Sequence, residues 1–133
     1  TAAGKALLAL LDDQQVRRLY PEARLKALTS HTLSTRAALI ADLKSIRRRG
    51  YAIADQETYY GTRALGIAVT DPGRQQSAGI SLSFPIGSIE SPEERRLVKA
   101  VLDAQAALRS GAPAHGSPIE AEQLADGRKV LLA

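Results

Sequence analysis

Two serine hydroxyls at alternate positions of an otherwise apolar segment are the residues of this 133-residue chain best suited to hold a ligand. In Gly79-Ile80-Ser81-Leu82-Ser83-Phe84-Pro85, strand periodicity sends Gly79, Ser81 and Ser83 to one face and Ile80, Leu82 and Phe84 to the other. A strand with bulky groups on one side and small or hydroxylated groups on the other can floor a small polar pocket. Thr62-Arg63-Ala64-Leu65-Gly66-Ile67-Ala68-Val69 repeats the pattern, with Thr62, Ala64, Gly66 and Ala68 on its small face. Between the two runs, Asp71-Pro72-Gly73-Arg74 has Pro and Gly at the two corners of a turn, which predicts an antiparallel hairpin with adjoining small faces. Such a face serves either a cavity or the close seating of a helix, and the two runs alone are compatible with both.

Bond-making chemistry has little support. Ser81 and Ser83 have no histidine nearby in sequence, and neither sits in a nucleophile-elbow pattern, although His31 could approach them in space. Asp55 and Glu57 have the spacing of an acid/base pair, but a strand-to-loop junction commonly carries solvated acids. Gly61 and Gly66 have the interval of a phosphate loop without the Lys-Ser/Thr that follows it. The helix start Thr1-Ala2-Ala3-Gly4 offers free backbone amides and little steric bulk, a place for an anion such as a carboxylate, or simply a solvated terminus.

Around these residues the chain reads as a mixture of helices and strands. Thr1 caps a helix through about Leu10, with Ala3, Leu7 and Leu11 spaced as one buried stripe. Asp12 and Asp13 open a second, short helix carrying Val16, Leu19 and Tyr20 and ending at Pro21. Residues 23–35 are loop-rich. A longer helix runs from Thr35 to Arg49 on Leu39, Leu43 and Ile46, with Gly50 in the left-handed position beyond its end and a strand from Tyr51 to Asp55. Arg47, Arg48 and Arg49 complement the negative end of that helix more readily than they form a phosphate patch. Ser91-Pro92-Glu93-Glu94 starts a last helix on Leu97, Val101, Ala104 and Leu108 that ends near Arg109. Residues 112–133, broken by Gly and Pro, read as a tail with a short strand at Val130-Leu131-Leu132.

Composition bounds the partners. The chain is long enough for one domain with a real core. Eighteen basic and fourteen acidic side chains leave +4, short of the dense basic face of a nucleic-acid reader. With no cysteine and two histidines, neither a disulfide framework nor a metal cluster is expected, and no cofactor. No apolar run reaches the roughly 20 residues of a membrane span, and the start lacks Met and a signal-peptide pattern, so the expectation is a cytoplasmic protein, trimmed from a longer one.

The blocks Thr1-Ala2-Ala3-Gly4-Lys5-Ala6-Leu7-Leu8-Ala9, Thr29 and Thr32, Arg49 to Glu57, Gly61, Ile67-Ala68-Val69 and Ile80-Ser81-Leu82-Ser83 resemble, in order and spacing, the effector-binding domain of the IclR family of bacterial transcriptional regulators. The resemblance implies an α/β fold of the α+β type, GAF-like or profilin-like, with a curved, mainly antiparallel sheet flanked by helices. It also implies an effector-binding domain over residues 1–111, a C-terminal tail over 112–133, and operator DNA bound only through an N-terminal winged helix-turn-helix absent from this chain. A homodimer or homotetramer follows from the same likeness. Carried over by position, the pocket uses backbone near Ala2 and Ala3 and side chains at Ala54, Thr62, Ala64, Ser81 and Ser83. Some members place an acid where this chain has Ala54, next to Asp55, and Phe84 replaces a usual glycine before Pro85.

The resulting expectation is a sensor rather than an enzyme, binding a small aliphatic or aromatic organic acid. Amides at Ala2, Ala3 and Gly4 and the hydroxyls of Ser81 and Ser83 are expected to hold its carboxylate, with Leu7 and Ala64 covering its body and Asp55 at the margin. The rivals are an enzyme of GAF-like fold acting on a small carboxylate and an interaction module with a vestigial pocket.

Overall fold

The computed structural model describes residues 1–71, 73, 76–88 and 91–110. The expected tail over 112–133 and its short strand lie outside the described residues, as do Pro72 and Arg74 of the turn. Elements run α1 (Ala2–Leu8), α2 (Asp13–Leu19), α3 (Arg36–Arg49), β1 (Ala52–Asp55), β2 (Thr62–Asp71), β3 (Gln76–Pro85) and α4 (Ser91–Arg109).

Local chemistry accounts for the helix ends. Thr1 Oγ1 accepts from the Gly4 amide at 3.2 Å and caps α1. At α2, Asp12 and Gln15 form a reciprocal capping box. Thr35 caps α3, whose other end closes on Gly50 at φ 86°, a left-handed turn that glycine makes without strain. Residues 23–35 stay irregular apart from a bridge between Arg24 and Thr35.

The strands form an antiparallel sheet in the order β1-β2-β3, and its register separates two faces. Ala52 pairs with Gly66, Ala54 with Ala64, and across β2 and β3 Ala64 pairs with Ser83, Gly66 with Ser81 and Ala68 with Gly79. These small residues share the face covered by α1 and α3, where Leu39, Ile40, Leu43 and Ile46 of α3 meet Ala2, Ala6, Ala52 and Ala54 in the core. Leu65 and Ile67, almost completely buried, lie on the opposite face with Arg63, toward α4. There Arg63 donates to both carboxylate oxygens of Glu94 on α4, and Gln105 Nε2 donates to Ala68 O at 2.7 Å.

Two helical stripes are rotated from their sequence expectation. On α1 the deepest side chains are Ala2, Lys5 and Ala6, one position away from the expected Ala3, Leu7 and Leu11, because the helix lies almost in backbone contact with the sheet. On α4, Leu108 is 51% exposed and Ala104 is exposed as well, whereas Leu97, Val98, Val101 and Leu102 are half-buried.

The arginines at the end of α3 do structural work. Arg47 donates to Ala9 O and Leu11 O beyond α1 and pairs with Asp13 at 2.8 Å; that hydrogen bond, helped by Lys44, holds the Asp13 carboxyl below the ordinary carboxylate range. Arg49 donates to Tyr51 O at 2.6 Å. The three cations stand in the last turn of α3, at its negative end as expected, and Arg47 in addition satisfies carbonyls at the end of α1.

The close seating of α1 depends on glycine. A Cβ on Gly66 would stand 2.4 Å from Ala2 C and 2.8 Å from Ala3 N, and one on Gly79 would meet Ala3 O and Leu7 Cδ1 at 3.0 Å. Gly66→Ala is expected to lower stability by about 1 to 3 kcal/mol through forced displacement of α1, read from urea unfolding midpoints. Gly61→Ala, where a Cβ would meet no atom within 4 Å but the φ is +74°, is expected to cost about 1 kcal/mol through backbone strain alone.

Candidate functional site

Beside the N-terminus of α1, on the small face of the sheet, lies a cavity. Its volume is about 140 Å³, similar to the roughly 150 Å³ cavity that accommodates benzene in another protein. The floor is Ala54 of β1, Thr62 and Ala64 of β2 and Ser81 and Ser83 of β3; Thr1 and Ala2 form one wall, and Glu57, Thr58 and Tyr59 form another. Ser81 and Ser83 are solvent-accessible, so the cavity is open on the β3 side. The hydroxyls of Thr58, Thr62, Ser81 and Ser83 make no hydrogen bond to the described protein. Convergent polar groups without protein partners, over an apolar floor, are what a small-molecule site requires.

The loop carrying Glu57, Thr58 and Tyr59 is fixed from below. Gln56 adopts φ 54°, an unusual conformation for a residue with a side chain, and is held there from three sides. Its amide donates to Thr62 O at 2.8 Å, its carbonyl accepts from Thr29 Oγ1 at 2.6 Å, and its side chain accepts from the Gly61 amide at 3.1 Å. Thr32 Oγ1 donates to Glu57 O, also at 2.6 Å. The two threonines before α3 therefore act as a clasp for the cavity wall.

Beneath that wall is a buried ammonium. Lys5, 5% exposed, donates to Ile53 O at 2.6 Å and to Glu57 Oε1 at 2.5 Å. It also lies 2.7 Å from Asp42 Oδ2, although that oxygen is off the hydrogen-bonding direction and has no hydrogen-bond partner, so the contact is an ion pair only. Arg49 approaches the other oxygen of Asp42 at 3.7 Å. Each charge in the cluster thus faces an opposite one, which a buried cation requires.

Of the residues expected at the site, Ala2, Ala54, Thr62, Ala64, Ser81 and Ser83 line the cavity. Ala3 and Leu7 instead pack on Gly79, and the Gly4 amide is taken by Thr1 Oγ1. Asp55 lies on the α4 face, bonded to Arg63 at 3.1 Å, because β1 alternation turns it away from Ala54; it does not form a pair with Glu57. Phe84 pairs with Arg63 and so also faces away, as alternation predicted. His31 is exposed, with its ring edge-on to Tyr60, and does not line the cavity. Thr1 belongs to the helix start that the sequence singled out; Glu57 was read as a solvated acid, and Thr58 and Tyr59 were missed, since strand periodicity carries no signal for a loop that folds back over a sheet. Among the described residues no group of three or more His, Asp or Glu side chains is placed to hold a metal, and no helix is long and apolar enough to cross a membrane.

A larger groove of about 560 Å³ lies on the far side of Thr1 and Lys5, lined chiefly by Leu8, Leu19, Tyr20, Leu25, Leu28 and Leu33. It is wider and more open, and although Glu22, Arg24 and Lys26 also border it, these side chains are solvent-exposed, and Lys5 is already engaged. The smaller cavity is the better candidate despite its size.

Sheet, helices and cavity together define an α+β effector-binding domain of GAF-like fold. The model of the bacterial transcriptional regulator IclR C-terminal domain matches residues 1–109, and the chain belongs to that family. It is 36% identical over 108 residues to the HTH-type transcriptional regulator BhcR of Paracoccus denitrificans, covering 81% of this chain and 39% of that protein. With the transcriptional repressor IclR of Escherichia coli it shares 40% identity over 89 residues, 67% of this chain and 32% of the repressor. The crystal structure of the C-terminal domain of the E. coli transcriptional regulator KdgR superposes with a TM-score of 0.73 at 28% identity, covering 83% of this chain and 67% of that domain. The chain thus spans less than two fifths of these curated relatives, which are regulators and not enzymes.

Two substitutions test the geometry. Lys5→Met strands Glu57 and Asp42 and is expected to cost about 3 to 5 kcal/mol in chemical denaturation. Asp55→Asn, at a half-exposed pair on the opposite face, is expected to cost at most about 1 kcal/mol and to leave any ligand-induced rise in melting temperature unchanged.

Proposed function

We propose that this chain is the sensing and oligomerising part of a cytoplasmic, DNA-binding regulator, and that its effector is a small organic acid held in the cavity at the N-terminus of α1. The observation that carries this reading is the convergence of unpartnered hydroxyls from β2, β3 and the 56–61 loop on a space of about 140 Å³. Ser81 and Ser83 donate to the carboxylate, and Ala2, Ala54 and Ala64 enclose the short apolar body. Operator DNA is engaged by another part of the polypeptide, and a homodimer or homotetramer carries the signal. The effector shifts the arrangement of subunits by its differential affinity for the two states, typically about 1 to 3 kcal/mol of coupling.

Thermal-shift measurements across mono- and dicarboxylates, aliphatic and aromatic, test this reading. An acid present at about 100 times its Kd adds roughly 2.7 kcal/mol, a rise of several degrees, and Ser81→Ala/Ser83→Ala is expected to lose it. A panel that moves nothing, or a double variant that responds as the parent does, contradicts the proposal.

A further inference from the structure

The two ends of the cavity differ in chemistry. On β3 stand the hydroxyls of Ser81 and Ser83, which can donate; at the other end the 56–61 loop contributes Glu57, Thr58 and Tyr59. No cationic side chain is among the described residues lining the space. Lys5 is already engaged, donating to Ile53 O and Glu57 Oε1 and ion-paired with Asp42. Among the described residues lining the cavity Glu57 is the one acidic side chain; it also borders the larger groove, and its side chain is 13% exposed. Lys5 occupies Oε1, while Oε2 makes no hydrogen bond to the described protein.

A carboxylate on the wall of a small space, with one oxygen free of protein donors, selects what can sit beside it. An effector carboxylate placed against Glu57 would meet a like charge, which fixes the acid group at the serine end. The register places Ala54, Ala64 and Ser83 in one row across the three strands, so the floor spans about 10 Å at two strand spacings. That span suits a molecule with different groups at its two ends.

We infer that the effector is bifunctional: a short hydroxy acid whose carboxylate accepts from Ser81 and Ser83 while its hydroxyl, at the opposite end, donates to Glu57 Oε2. This rests on the acid-sensing reading above and adds Glu57 as the residue that sets specificity. A site that presents a charged acceptor to a ligand hydroxyl disfavours the analogue lacking it, because the acceptor is then desolvated without a partner.

Isothermal titration of the full chain with propanoate, 3-hydroxypropanoate and propane-1,3-diol separates the outcomes. The hydroxy acid is expected to bind about tenfold or more tightly than propanoate, and Glu57→Gln, which keeps a carbonyl acceptor without the charge, is expected to narrow that gap to a few-fold. Equal binding of the two acids, or a gap unchanged in Glu57→Gln, overturns the role of Glu57 and leaves the acid reading standing. Binding of the diol alone supports the hydroxyl contact and overturns the acid reading, and binding of none of the three overturns both. Should Glu57→Gln fail to fold, the ratio of the two acids on the unaltered chain decides the matter by itself.

Discussion

A single buried ammonium ties the architecture together. Lys5 projects from α1 and engages β1 through Ile53 O, the cavity loop through Glu57 and α3 through Asp42. Burying a cation is costly unless every proton finds an acceptor and its charge is balanced, so the three elements must arrive in one relative placement. Seven residues of helix are too few to be stable alone; α1 persists through packing, with Ala2 and Ala6 buried, and Lys5, once buried, is held by acceptors from its neighbours.

The small face of the sheet serves two purposes along its length. At Gly66 and Gly79 the absence of a Cβ allows the backbone of α1 to rest on β2 and β3. At Ala64 and Ser83, one residue pair further along, and at Ser81 beside Gly66, the same smallness leaves space. Close helix seating and an open cavity, which compete as explanations of such a face, are both correct here at different positions of one register.

Much of this was legible in the sequence. The caps at Thr1, Asp12 and Thr35, the stop at Gly50, and the strict alternation of β2 and β3 reflect local chemistry, and helix, strand and facing followed from them. The expected site residues on strands, Ala54, Thr62, Ala64, Ser81 and Ser83, meet in one place because periodicity and antiparallel pairing determine it. What periodicity could not supply was the tertiary part. The stripe of α1 is rotated by one residue because Lys5 is buried, and no propensity rule anticipates a buried lysine before its partners Asp42 and Glu57 are known. Leu7 was misplaced for the same reason. Asp55 and Glu57, two residues apart, diverge because Gln56 takes a left-handed conformation between them, held by a threonine far away in sequence.

The proposed effector occupies the hydroxyl-lined cavity and not the wider groove on the other side of Lys5. Amide chemical-shift mapping of the isotopically labelled chain, titrated with whichever acid raises its melting temperature most, tests it directly. The account predicts that the largest perturbations cluster at Ala2, Ala54, Thr58, Thr62, Ala64, Ser81 and Ser83. Perturbations centred on Leu19, Leu25 and Leu28, with Ser81 and Ser83 unmoved, would contradict it.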